Sequence, residues 1–405
     1  MSIHAVSRRS LVAGFGSVFA WSYAPRPAYA GRDPRLLVVV LRGGLDGLAA
    51  APPLGDPDYA RLRGDFGLAE KSAHVELDGT FALNSNMKRL AALYSEGHAI
   101  IVHAVATAYR GRSHFDGQDA LEGGFQDFNG VAETGWLNRA LQAVPPGDKL
   151  PALGRKGLAI SPTIPVIMRG DAPVETWQPQ VYPYANRDTI ARLLDLYEAR
   201  DIKLAASLRE GAQVDELFME QGHATAAPAA AQSKRPSFAK DAGAAAKLMS
   251  EPTGPRIGAM SFFGWDTHVN EGPVRGRLAD SLTALDSAIG ALRDGFGPVW
   301  NDTVVMIVTE FGRTARINGT LGTDHGTATV CYVLGGAVKG GRVVADWPGL
   351  SEKALYEGRD LAPTTDLRSV AKGVLGDFLG IGKKELDTVV FPDSGNVKAM
   401  QGLIA

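Results

Sequence analysis

The sequence predicts an α/β layer architecture, and three observations carry that prediction. Apolar runs rich in β-branched residues, such as Val304-Val305-Met306-Ile307-Val308, hold no turn former and read as strands buried on both faces of a sheet. These runs alternate along the chain with segments of helical periodicity. Four of them end in Asp, Glu, Ser or His, as strands do when they feed the crevice at the carboxyl edge of an open α/β sheet.

Taken in order, the first strand covers 35–41 and runs into Arg42-Gly43-Gly44-Leu45-Asp46. A loop with Pro52, Pro53 and Pro57 follows, then a helix over 86–96 carrying Met87, Leu90, Leu93 and Tyr94. The strand at 99–105 leads to the polar segment Arg110-Gly111-Arg112-Ser113-His114-Phe115-Asp116, with shorter helices starting near Ser113 and Gly135. Ala159-Ile160 and Val166-Ile167-Met168 read as short strands separated by proline. A helical block over 187–221 places Ile190, Leu193, Leu194 and Tyr197 at helical spacing, and His223–Pro236 reads as a surface connection.

A helix near 237–249 precedes the strand at 256–263, which runs into Gly264-Trp265-Asp266-Thr267-His268. The helix at 274–293 has one apolar stripe of Leu278, Leu282, Leu285, Ile289 and Leu292. Strands at 303–309 and 329–335 and a helix at 364–379 complete the core. No linker separates two cores, so residues 31–405 read as a single domain with a helical insertion near 187–250.

The N-terminus reads as an export signal over residues 1–30. Arg8-Arg9 precede a weakly apolar, Gly-containing core, and Ala28-Tyr29-Ala30 supplies a small-x-small cleavage site. This pattern points to the twin-arginine translocase and to a periplasmic or cell-surface address. The apolar run is too short for a stable membrane anchor, and Pro25 and Pro27 break it. Arg8, Arg9 and Arg26 leave with the signal, so 39 basic residues face 44 acidic ones, a net charge of −5. That balance argues against nucleic acid as a partner. The only cysteine, Cys331, falls in a predicted buried strand, which excludes an intrachain disulfide and a Cys-based metal site.

Each strand-end residue has a functional and a structural reading. Asp46, after Gly43-Gly44, suits a metal ligand or equally a turn Asp. Asp266-x-His268 offers a carboxylate and an imidazole from one loop, as divalent ions accept, or a helix-entry Asp beside a surface His. Asp324-His325 between glycines offers a ligand imidazole with a carboxylate to orient it. Glu310 and Arg313 either serve the site, with Arg313 gripping an oxyanion, or pair over a strand end. Ser113 is either a nucleophile at a helix N-terminus or an N-cap. Asp116 belongs near the site or on a solvated helix face, and His103 reads as a core histidine.

Five segments together resemble an exported bacterial family, domain-of-unknown-function family number 1501: Arg42-Gly43-Gly44-Leu45-Asp46-Gly47, Ser113-His114-Phe115-Asp116, Trp265-Asp266-Thr267-His268, Thr309-Glu310-Phe311-Gly312-Arg313-Thr314 and Gly322-Thr323-Asp324-His325-Gly326. The resemblance implies an alkaline-phosphatase-like three-layer sandwich with a mostly parallel central sheet. It implies a divalent metal, zinc first, with magnesium, manganese or calcium as alternatives. Asp266, His268 and His325 would hold one ion, and Asp46 and Glu310 would serve a second. His114, Asp116 and Asp324 would stand behind them, and Ser113 or a metal-bound water would attack. Phe311 stands where the related phosphatases carry a histidine ligand, so the second site is depleted or rebuilt with Asp324 or His114. The implied activity is hydrolysis of a small-molecule or glycan phosphate or sulfate ester. A non-catalytic envelope binding or assembly role is the alternative.

Overall fold

The computed structural model describes residues 32–126, 132–145, 156–178, 193–194, 197–198, 201–209 and 238–405. The expected signal, the 223–236 connection and most of the 187–221 helical block lie outside the described residues. The chain divides into two compact units, residues 1–177 with 238–405, and residues 178–237.

The larger unit is built around strand β1 (Arg35–Arg42), whose six central residues are all fully buried. An alternating pattern would expose one face. This continuous apolar run instead requires cover on both, worth about 1.5–3 kcal/mol for each large side chain buried. The remaining strands are β2 (His74–Glu76), β3 (Ala82–Asn84), β4 (Ala99–Ala106), β5 (Gly157–Ile160), β6 (Val174–Trp177), β7 (Ile257–Phe263), β8 (Thr303–Thr309), β9 (Thr329–Leu334), β10 (Arg342–Val344) and β11 (Thr365–Asp366). The main sheet runs β10-β4-β9-β8-β1-β7-β5-β6, with β11 also on β4, while β2 and β3 form a separate hairpin sheet.

Helices supply the two cover layers. On one face Leu36, Val38 and Val40 share a core with Trp136 and Leu137 of α3 (Trp136–Ala143), Leu121 of α2 (His114–Gly123) and Leu375 and Phe378 of α6 (Leu367–Leu379). On the other, α4 (Phe238–Ser250) packs along α5 (Arg277–Phe296), which in turn meets α1 (Lys88–Ser95). The fold is thus a three-layer α/β sandwich. The predicted stripe of α5, from Leu278 to Leu292, is its buried side.

One detail of topology sets the position of the site. Every pairing in the main sheet is parallel except those of β9, which runs antiparallel to both β4 and β8. Reversing one strand brings its N-terminal end to the edge where its neighbours finish. The loop before Thr329, which carries Asp324 and His325, therefore shares an edge with the ends of β1, β4, β7 and β8.

One expectation needs correction. Val166–Met168 is a single 3₁₀ turn, not a strand: Pro165 fixes the entry, and the Ile167 N–H donates to Glu122 at 2.9 Å instead of to a neighbouring strand. The short strands β2, β3, β6, β10 and β11 have no counterpart among the predicted elements, because two to four residues show no periodicity. Among the described residues no helix is long and apolar enough to cross a membrane. Cys331 is buried in β9, as expected.

Candidate metal centre

Three histidines and one aspartate meet at the carboxyl edge of the sheet. His114 comes from the first turn of α2, Asp266 and His268 from the loop after β7, and His325 from the loop before β9. Close backbone approach brings these loops together. A Cβ on Gly43 would lie 2.6 Å from the Asp266 nitrogen, and one on Gly322 would lie 2.2 Å from the His268 carbonyl oxygen. Gly43 also has φ +124°, so no other residue fits there without strain.

Each imidazole is oriented through Nδ1. His114 Nδ1 lies 2.9 Å from Glu310 Oε1, His268 Nδ1 lies 3.1 Å from Asp324 Oδ1, and His325 Nδ1 lies 2.8 Å from the Arg112 carbonyl. All three partners are acceptors, so each Nδ1 carries a proton. The Nε2 atoms turn toward Asp266. Those of His268 and His325 lie 3.0 and 3.2 Å from Oδ1, and that of His114 lies 3.4 Å from Oδ2. One ligand atom from each of His114, Asp266 and His325 falls within 4.8 Å of the others.

The layer behind these groups fixes their charge. Burial favours the neutral form of Glu310, but donation from His114, the Gly43 N–H at 2.8 Å and Thr309 outweighs it and holds the carboxyl below its ordinary range. That carboxylate in turn raises the His114 imidazole. Asp266 behaves alike: burial pushes its carboxyl up, while His325 and Arg313 hold it far below the ordinary range. Phe311 packs its ring 4.9 Å from that of His114 and 5.0 Å from that of His325. It is a wall that braces two imidazoles.

Of the residues singled out in the sequence, Asp266, His268 and His325 converge, and Asp324 stands behind His268 as expected. Five others are placed differently. His114 faces Asp266 directly, whereas Glu310 stands behind it on His114 Nδ1. Asp46 is fully buried with both oxygens on Arg63, at 2.5 and 3.1 Å, and pairs there instead of with the histidines of this cluster. Arg313 has a fully buried guanidinium that donates to Asp266 at 2.7 Å, to the Thr323 hydroxyl at 3.2 Å and to the Thr323 carbonyl. It positions Asp266 and has no face left for an oxyanion. Asp116 accepts from the Tyr109 hydroxyl at 3.2 Å, away from the cluster's own hydrogen bonds.

Ser113 is the N-cap of α2, yet its side chain makes no capping hydrogen bond. It lies between Arg112, whose carbonyl holds His325, and His114. Arg112 itself has φ +63°, an αL conformation held by its own side chain on Asp360 at 2.9 Å and Glu357 at 2.6 Å. Sequence reasoning did not anticipate Arg63, Glu271 or Thr323. Two of them left a signal: Glu271 sits three residues after His268 in the same loop, and Thr323 lies within the Gly322–Gly326 segment.

Fold and side chains together define the class: a three-layer α/β protein with a histidine–aspartate constellation at the carboxyl edge of its sheet. The chain belongs to the family described as "Protein of unknown function (DUF1501)", whose model matches residues 99–390. No curated protein matches it. Among solved structures, Ps i-CgsB in complex with k-i-k-neocarrahexaose is similar at 10% identity and a TM-score of 0.41, over 90% of this chain and 77% of that one. A phosphonate monoester hydrolase of Agrobacterium radiobacter is similar at 12% identity and a TM-score of 0.38, over 86% and 74%. A protein in the alkaline phosphatase superfamily from Vibrio parahaemolyticus is similar at 12% identity and a TM-score of 0.35, over 79% and 64%.

Proposed function

We propose that this chain is an exported, divalent-metal-dependent hydrolase of phosphate or sulfate esters on small molecules or glycans. Its address would be periplasmic or cell-surface, reached through the twin-arginine translocase. One observation carries the reading: three imidazoles, each tied at Nδ1, aim Nε2 at a single carboxylate. The Nε2 atoms of His268 and His325 are 3.0 Å apart, a spacing that either a shared proton or a cation beside both nitrogens satisfies. His114 Nε2 is buried and has no hydrogen-bond partner, as a ligand atom awaiting an ion would be.

His114, Asp266 and His325 would hold the ion, with His268 beside them. Nitrogen-rich donors suit zinc first, with magnesium, manganese and calcium as alternatives for the oxygen-bearing side of the site. When bound, such an ion supplies Lewis acidity at the anionic oxygens of an ester. The chain's own groups do the rest. Glu310 fixes the ring and proton of His114, and Arg313 fixes Asp266. The free N–H groups at the start of α2 offer donors to a developing anion. The Ser113 hydroxyl, uncommitted beside them, is the proposed nucleophile.

Protein purified without chelator should carry one divalent ion per chain, and His325→Ala or Asp266→Asn should weaken zinc binding about tenfold or more. Phosphate and sulfate esters are then screened with zinc, manganese, magnesium and calcium, and Ser113→Ala should abolish any turnover found. Absence of stoichiometric metal, with unchanged metal content in His325→Ala, would sink the proposal. A non-catalytic binding or assembly role in the envelope draws support from Arg313, whose guanidinium is sealed and cannot grip an oxyanion. Metal binding without turnover of any ester would favour that second reading.

A further inference from the structure

We propose that Glu271 and Asp46 form a buried carboxyl pair sharing a single proton, and that through Thr323 this pair positions the two loops that present the metal-binding side chains. The positioning half rests on the metal reading above. The proton-sharing half does not.

The inference starts from a charge imbalance. Asp46, Arg63 and Glu271 are all at 0% exposure. Arg63 spends two donors on Asp46, at 2.5 and 3.1 Å, and donates also to the carbonyls of Ala315 and Thr314. Arg313, the other buried cation nearby, is committed to Asp266 and Thr323. With Arg313 spent on the half-exposed Asp266, Arg63 faces two fully buried carboxyl groups, Asp46 and Glu271, in a dry interior, where an unpaired charge costs several kcal/mol. Tyr59 does not help, since its hydroxyl donates to the Leu48 carbonyl at 2.9 Å.

The hydrogen bonds say where the missing proton resides. Glu271 Oε2 accepts from the Thr323 hydroxyl at 2.6 Å, while Oε1 is buried with no donor available to it. Asp46 lies within hydrogen-bonding reach of Glu271, and two ionised carboxylates cannot bond each other. A proton on Glu271 Oε1, donated to Asp46, satisfies both and balances the charge. Burial and the Asp46 charge both push the Glu271 carboxyl well above its ordinary range, in keeping with this.

Thr323 connects the pair to the site. Its hydroxyl donates to Glu271 and accepts from Arg313 Nε at 3.2 Å, and Arg313 holds Asp266 at 2.7 Å. Its N–H reaches the Thr267 carbonyl at 3.2 Å, and the Glu271 N–H reaches the Leu321 carbonyl at 2.8 Å. Glu271 thus pins the loop of Asp324 and His325 to the loop of Asp266 and His268.

The test pairs infrared spectroscopy with zinc titration. At neutral pH the wild-type protein should show a protonated-carboxyl stretch that is missing from Glu271→Gln. Glutamine can donate to Asp46 and accept from Thr323, so this variant should fold and bind zinc within about threefold of wild type, whereas Glu271→Ala and Thr323→Val should bind about 10–100-fold more weakly. If Glu271→Gln fails to fold, or removes no protonated-carboxyl band, the shared proton is overturned. If Glu271→Ala and Thr323→Val bind zinc like wild type, the positioning role is overturned. A wild-type protein that binds no zinc would overturn the metal reading and the positioning role, and the infrared result alone would then judge the pair.

Discussion

Replacing Arg63 with methionine should destabilise the fold by about 3–5 kcal/mol, the cost of breaking a buried ion pair from one side. The guanidinium is fully buried and holds both oxygens of a fully buried Asp46, while two of its donors also satisfy the carbonyls of Ala315 and Thr314. Methionine fills much of the volume but leaves a carboxylate with no counter-charge and two carbonyls with no donor. The companion change Asp46→Asn in the same chain should recover a large part of the loss, because no buried anion then remains opposite the methionine. Urea unfolding of wild type, both single variants and the double variant measures the coupling. Strictly additive losses, or an Arg63→Met penalty below about 1 kcal/mol, would show that the pair is not what holds this corner.

That pair also shows where sequence reading stops. Asp46 follows a buried strand and two glycines, and this placement alone suits a metal ligand. Its actual partner lies 17 residues on, in the short helix Tyr59–Arg63, and no spacing rule connects the two. The buried strands were legible because an apolar run without turn formers has few alternatives. The direction of β9 was not, since a strand covered on both faces reads the same either way. Yet that direction is what carries His325 to the ends of β1, β7 and β8.

The placement of His114 and Glu310 has a similar origin. Sequence offers a carboxylate at one strand end and an imidazole at another, but which faces the cluster depends on which is backed by donors. Glu310 is surrounded by them, from Gly43, His114 and Gln118, and so turns inward. Phe311 misled for the opposite reason. Compared with a ligand it looks like a loss, whereas its ring packs against two of the imidazoles that are present.

Acidification from about pH 6.5 to about pH 4 should remove about 3 kcal/mol of stability through His103 alone, given an ordinary histidine value near 6.5. His103 is fully buried in β4, between the rings of Phe81 at 5.1 Å and Trp347 at 5.0 Å, and burial pulls its pKa down to about 4. Its Nε2–H donates to the Ala51 carbonyl at 3.0 Å, and Nδ1 accepts from the Ala104 N–H at 2.9 Å. The second bond matters because the β4–β9 ladder shifts register between Val102 and Val105, and Ala104 sits there at φ +56°. Protonating Nδ1 turns that acceptor into a donor aimed at another donor. The folded-state pKa lies below the unfolded one, so the unfolded chain takes up the proton first. The contribution is complete above the unfolded value and is lost as pH falls toward the folded value. Unfolding free energies of metal-free wild type and His103→Gln, measured across this range, isolate the effect as a difference in slope. Parallel slopes would mean that the acid sensitivity lies elsewhere. A flatter slope in the variant would mean that a neutral histidine, held in its ε-tautomer by two backbone groups, stabilises the bulge at which β4 turns toward the histidine–aspartate cluster.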